Sequence, residues 1–197
     1  MKPDSTSATL LLSRKIRTFF WLVLGIFLIA SSPIKSQQLP VNSELLITPE
    51  TLKKIAVEQR IIVDTRSTFE FLMGHIPGAV NLNNWKDFTT KKNGVKGLLI
   101  NDKEYISHVL GNAGFNPTKS IVIYGNPTNP WRTDGRFFWM FERYGFANVA
   151  ILDGGMKAWK ASGGPIESGF QKKRKTTKLG PKNINLIPDI IADKSLI

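Results

Sequence analysis

Three short apolar runs limit what this chain can fold into: "RIIVD" (Arg60–Asp64), "SIVIY" (Ser120–Tyr124) and "NVAIL" (Asn148–Leu152). Each is too short for a buried helix, and each ends in a polar residue or glycine before an amphipathic segment begins, which is the signature of a buried strand feeding a helix. "LLI" (Leu45–Ile47) and "GAVNL" (Gly78–Leu82) read as two further short strands. The intervening helices carry their own signals. Thr48 is an N-cap with Pro49 at the first helical position, and that helix is expected to run to about Glu58. Ser67 caps "TFEFLM", which Gly74 stops, and Gly114 ends the helix that begins at "DKEYISHVL". "DGRFFWMFERYG" and "GMKAWKASG" are the last two helices. Strands alternating with helices predict an α/β fold with a mainly parallel central sheet of about five strands, helices on both faces and right-handed crossovers. Its functional edge is the carboxyl end of the strands.

At that edge, "IVIY" runs into "GNPTNPWRTDG", and a helix is expected to start near Thr133 or Asp134. Loop amides and the positive end of a helix dipole converge in such a place, so it is an expected site for an anion. The loop contains no cysteine, histidine or serine. The 197-residue chain has no cysteine anywhere and two histidines, His75 and His108. Disulfides, thiolate metal sites, iron–sulfur clusters and thiolate nucleophiles are therefore excluded, and neither a metal nor a cofactor is expected.

The N-terminus carries a compartment signal. Lys2, Arg14, Lys15 and Arg17 precede the apolar run Phe19–Ala30, and Ser31, Ser32 and Pro33 follow. This order matches a secretory signal peptide, and the run falls short of the roughly 20 residues of a spanning helix. The protein is expected to be exported: periplasmic if the segment is cleaved, or an anchor facing the periplasm if Pro33 hinders cleavage. Membrane association is expected only through this segment.

The net charge of +12 is concentrated at the two ends. Residues 1–36 hold five basic residues and one acid, and Gln171–Lys182 holds six basic residues and no acid, which leaves residues 37–170 only mildly basic. The tail reads as a solvated basic linker, with attraction to a polyanion or acidic membrane as the second reading. No interleaving of aromatics and cations suggests nucleic-acid binding.

"VDTRSTFEFLMGHIPGAVNL", "IVIYG" and "YGFANVAILDGGMKAWKASGGP" together resemble the rhodanese family of sulfurtransferases over about 130 residues. Asp64 with Arg66, the segment Glu70–Ala79, and "LDGG" followed by Trp159 are the elements that make the resemblance specific. It implies a reaction in which a cysteine directly after the central strand takes sulfane sulfur from a donor such as thiosulfate and passes it on as a persulfide. The position matching that cysteine is Gly125, so the resemblance implies a rhodanese domain without its nucleophile and no catalytic residue of its own.

The candidate anion-binding or interdomain residues are then Arg136, Arg132 and Arg66, each with a plainer alternative. Arg136 would be a helix-surface cation or would pair with Asp134 or Glu142, Arg132 would be solvent-exposed, and Arg66 would pair with a local carboxylate such as Glu70. Asp64 is expected to tie the loop that follows it, and His75 to hydrogen-bond backbone. Ser67, His75 and Asp64 form a triad only on paper, since no nucleophile-elbow sequence accompanies them.

Many rhodaneses are tandem repeats whose first domain lacks the cysteine, and the long 125–132 loop resembles that first domain. On this reading residues 1–36 are the signal or anchor, 37–168 the rhodanese-like domain, and 169–197 a basic linker opening a second unit. The apolar residues Ile184, Leu186, Ile187, Ile190 and Ile191 would face water without such a unit. Partners would be a second rhodanese domain or another protein, with a small sulfur anion as ligand. The alternative is a stand-alone inactive module in the cell envelope that binds an anion or a protein. Among Phe137, Phe138, Trp139 and Phe141, an exposed Trp139 or Phe141 within a large patch would mark a surface built to meet a second domain.

Overall fold

A computed structural model describes residues 45–172 and 174–188. The expected signal or anchor segment lies outside these residues, as do Ile190 and Ile191. Five parallel strands form the central sheet: β1 (Leu46–Ile47), β2 (Arg60–Asp64), β3 (Val80–Asn81), and the strands Ser120–Tyr124 and Val149–Leu152, numbered β6 and β7 below. Their order is β1-β7-β6-β2-β3. The central register sets Ile62 beside Val122 and Asp64 beside Tyr124.

Alternation along β2 and β6 divides the core into two layers. Ile61, Val63, Ile121 and Ile123 face one cluster, while Ile62, Val122 and Tyr124 face the other. A parallel strand is buried on both faces, which is why these runs are apolar throughout rather than alternating with polar residues. The first cluster is covered by α3 (Lys103–Asn112), through Ile106 and Leu110, and by α4 (Thr133–Arg143), through Phe137, Met140 and Phe141. The second is covered by α1 (Pro49–Lys54), α2 (Thr68–Met73) and α5 (Gly155–Ala161), through Leu52, Phe71, Met156 and Trp159.

The expected caps are present. Thr48 accepts from the amide of Thr51, and Ser67 forms a reciprocal capping box with Glu70. The first helix is shorter than expected, stopping at Lys54. The Leu52 carbonyl takes the amide of Ile55 and the guanidinium of Arg60, which ends the ladder, and a separate 3₁₀ turn, Val57–Gln59, leads into β2. One element has no counterpart in the strand reading above: an antiparallel hairpin, β4 (Thr89–Lys92) with β5 (Val95–Leu99). Asn93 and Gly94 form its turn with φ of 50° and 84°, a left-handed pair suited to an Asn-Gly hairpin turn.

Ile184 does not face water. It is 1% exposed and joins the first core cluster, against which Leu179 and Leu186 also pack. The Thr177 amide donates to the Gly111 carbonyl, Asn185 to that of Tyr144 and Ile187 to that of Arg143, at 3.0–3.2 Å. Residues 177–187 thus form a strap across the α3 and α4 layer, held by backbone hydrogen bonds that the charge run gave no means of anticipating. Of the aromatic cluster, Phe137 and Phe141 are fully buried, whereas Trp139 is 38% exposed.

Replacing Ile184 with Ala should cost about 2–5 kcal/mol of unfolding free energy, as for other buried isoleucines, measured by urea denaturation. A loss below about 0.5 kcal/mol, the level of an ordinary surface change, would show that the strap is not docked.

Candidate functional site

β2 and β6 end side by side, and between their carboxyl ends lies a cavity of about 350 Å³ whose lining includes Thr65, Arg66, Gly125, Asn126, Thr133 and Asp134. Its wall is an ion pair built into the strand end. Asp64, wholly buried, accepts from the Arg66 backbone amide (2.9 Å) and Nε (3.0 Å) on Oδ1, and from Arg66 Nη2 (2.6 Å) and the Tyr124 hydroxyl (2.5 Å) on Oδ2. Arg66 Nη2 also donates to the Gly74 carbonyl at 2.7 Å, and the Tyr124 oxygen accepts the Ile76 amide at 3.1 Å. Burial pushes the Tyr124 phenol far above its ordinary range, with the Asp64 charge adding to it. For Arg66, desolvation acts to lower the pKa, but the hydrogen bonds and charge of Asp64 outweigh it and the net shift is upward. Arg66 therefore pairs with Asp64 rather than Glu70, whose carboxylate is held by the Ser67 amide and hydroxyl.

Gly125 is buried directly after β6. A Cβ placed there would lie 2.9 Å from Thr65 Oγ1 and 3.5–3.6 Å from Asp134 Cβ and Cγ. The carbonyl of Gly125 accepts the Met156 amide at the start of α5, and Gly155 (φ 54°) approaches it so closely that any side chain there would collide.

The 125–132 loop pairs four of its amides, those of Thr128, Asn129, Trp131 and Arg132, internally. Asn126 Oδ1 accepts from the Thr128 amide (3.1 Å) and hydroxyl (2.7 Å), and Asn129 Oδ1 from the Trp131 amide (2.9 Å). The Asn129 and Arg132 amides donate to the carbonyls of Asn126 and Asn129. These are two successive Asx turns. The helix end is supplied with a carboxylate as well. Asp134, 5% exposed in the first turn of α4, takes both Nε and Nη2 of Arg132 at 3.1 Å and the Gly135 amide at 2.9 Å. The Arg132 pKa is raised by that hydrogen bonding and charge. An internal carboxylate thus sits where a helix N-terminus would favour an anion.

The three candidate arginines do not converge. Arg66 lines the cavity but is consumed by Asp64, and Arg132 lies outside its lining and holds Asp134. Arg136 is exposed and places its guanidinium 4.5 Å from the Trp85 ring centre, a cation–π contact rather than a pairing with Asp134 or Glu142. His75 Nδ1 contacts the Phe71 carbonyl at 2.9 Å and its ring stacks on Phe71, so Ser67, His75 and Asp64 do not assemble. Among the described residues no cluster of acids and histidines could hold a metal. Thr65, Tyr124 and Asp134 shape this site most. Of these, Thr65 and Tyr124 carried no functional signal in the sequence, because their contacts are with residues about 60 positions away.

The model of the rhodanese-like domain matches residues 48–162. The chain is 29% identical over 128 residues to the thiosulfate sulfurtransferase of Azotobacter vinelandii, covering 62% of this chain and 44% of that protein. It is 28% identical over 102 residues to the thiosulfate sulfurtransferase of Corynebacterium glutamicum, covering 52% and 32%. The crystal structure of SseA from Escherichia coli, a 3-mercaptopyruvate sulfotransferase, superposes with a TM-score of 0.64 at 20% identity, over 78% of this chain and 60% of that one, a likeness of fold. The chain spans less than half the length of the curated relatives it matches.

Asp64→Ala should destabilise the domain by about 3–5 kcal/mol, because it leaves a buried guanidinium unpaired. Tyr124→Phe should cost about 1–3 kcal/mol through the orphaned Ile76 amide. Thermal or urea unfolding of both variants checks this, and near-native stability for Asp64→Ala would remove the ion pair from its structural role.

Proposed function

The chain belongs to the rhodanese-like domain family, and from that premise we propose that it makes no persulfide itself and works as the non-catalytic first unit of a two-unit sulfurtransferase. The observation that carries this reading is Gly125, which stands without a side chain at the end of the central strand in a chain with no cysteine. Persulfide chemistry needs a thiolate, and none is present. The length of the sulfurtransferase relatives, more than twice the matched portion, supports a second unit. Trp131, 74% exposed on the 125–132 loop, offers an apolar side chain at the same edge to such a unit. A small sulfur anion would then be held between the two units, with the nucleophile supplied by the second. We also propose export, with residues 1–36 acting as signal or anchor.

The surroundings of Gly125 are set against a thiolate. A cysteine there would place its Cβ within 3.6 Å of the Asp134 carboxylate carbon and would require Thr65 to move. The carboxylate opposes ionisation of such a thiol, and its ion pair with Arg132 offsets part of that effect.

Purified protein should show no thiosulfate-to-cyanide sulfur transfer above buffer. Gly125→Cys should remain feeble, and its thiol should become more acidic by roughly one unit when Asp134→Asn is added, read from the pH profile of alkylation. Turnover by the unmodified chain would overturn the proposal.

A further inference from the structure

A second concavity lies at the other end of the sheet, where β2, β3 and β6 begin. Its volume is about 620 Å³, within the 300–1,000 Å³ of small-molecule sites. Val57, Ile62 and Pro77 contribute apolar lining, and Arg60, Lys119, Arg174, Lys175 and Lys178 supply five cations with no acid among the lining residues. One wall is the strap. Arg174 Nη1 donates to the Gly78 carbonyl at 2.8 Å, and Thr177 is held by the Gly111 and Phe115 carbonyls. Lys178 of the strap, with Arg174 and Lys175 in the segment leading into it, thereby brings three cations against two, Arg60 and Lys119, at the start of β2 and β6.

Among the described residues none of these cations forms an ion pair. Among the described residues the ion pairs are Arg66 with Asp64, Arg132 with Asp134 and Lys172 with Glu167, none of which lines this cavity. The acid that acts on Arg60 is Glu58, and burial outweighs it. Arg60 Nε is buried without a hydrogen-bond partner, while its Nη1 holds the Leu52 carbonyl. Burial also weighs on Arg174, with no acid to offset it. Gathering like charges around a concave, partly desolvated site costs free energy unless an anion joins them.

We propose that this pocket binds a multiply charged phosphate group, with the guanidinium of Arg60 and the ammonium groups of Lys119, Lys175 and Lys178 as its recognition elements. The Arg60 guanidinium contributes fixed positive charge at the wall, and the lysine ammonium groups add point charges that phosphate oxygens can accept from. The site lies at the opposite end of β6 from Gly125. A bound phosphate would also clamp the strap to the amino end of the sheet.

The test is calorimetric titration of the full chain with inorganic tripolyphosphate at low salt. Saturable binding is expected, at least tenfold tighter than for sulfate. Lys175→Glu with Lys178→Glu should weaken it at least tenfold. Lys91→Glu with Lys92→Glu, which makes the same charge change on the hairpin outside the pocket, should leave it within twofold. A second arm measures binding to phosphatidylglycerol vesicles against phosphatidylcholine vesicles. Loss confined to the pocket variant in this arm, without tripolyphosphate binding, identifies the phosphate as a lipid headgroup. Equal losses for the two charge-matched variants, or no response in either arm, would overturn the proposal.

Discussion

The buried carboxylate of Asp64 holds the functional end of the sheet in place. It sits at the last residue of β2, and its oxygens collect the backbone and guanidinium of Arg66 together with the hydroxyl of Tyr124, the last residue of β6. Arg66 and Tyr124 then reach onward to Gly74 and Ile76, beyond α2. Two strand ends and the loop after α2 are joined through one charge. A buried pair of this kind adds little net stability over an apolar replacement, but removing one partner is costly, so it ties geometry more than it strengthens the fold. The floor of the adjoining cavity, including Gly125, is positioned by that tie.

The same edge shows how a site shaped for an anion can be filled from within. A strand, a loop and a helix N-terminus converge there as in many α/β proteins. Here Asp134 occupies the helix end, Arg132 neutralises it, and two Asx turns use the loop amides. With glycine at the end of the central strand and no cysteine in the chain, what remains is a cavity walled by Arg66 and an exposed tryptophan on the loop beside it.

Much of the fold was legible in the order of letters. The runs at 60–64 and 120–124 are apolar because both their faces are covered, and the caps at Thr48 and Ser67 act through residues three positions away, which a linear reading can see. The hairpin at 89–99 was legible in principle through Asn93-Gly94, but its strands are largely exposed and its lysines mask the alternation. The partner of Arg66 was misplaced because Asp64 and Glu70 are comparably close in sequence. Only the direction of the strand end decides between them.

Local signals, namely apolar period, capping residues and turn residues, determined the α/β class and the strand and helix order, and composition alone excluded a thiolate nucleophile. Tertiary structure alone decided which charges meet. Arg132 closes on Asp134, Arg136 stacks on Trp85, and a tail that reads as a solvated basic linker folds back to bury Ile184 and bring its cations beside Arg60 and Lys119. The physical reason is range. Caps and hydrophobic periodicity act over three or four residues, whereas ion pairs and strap packing depend on distances in space between segments far apart in the chain.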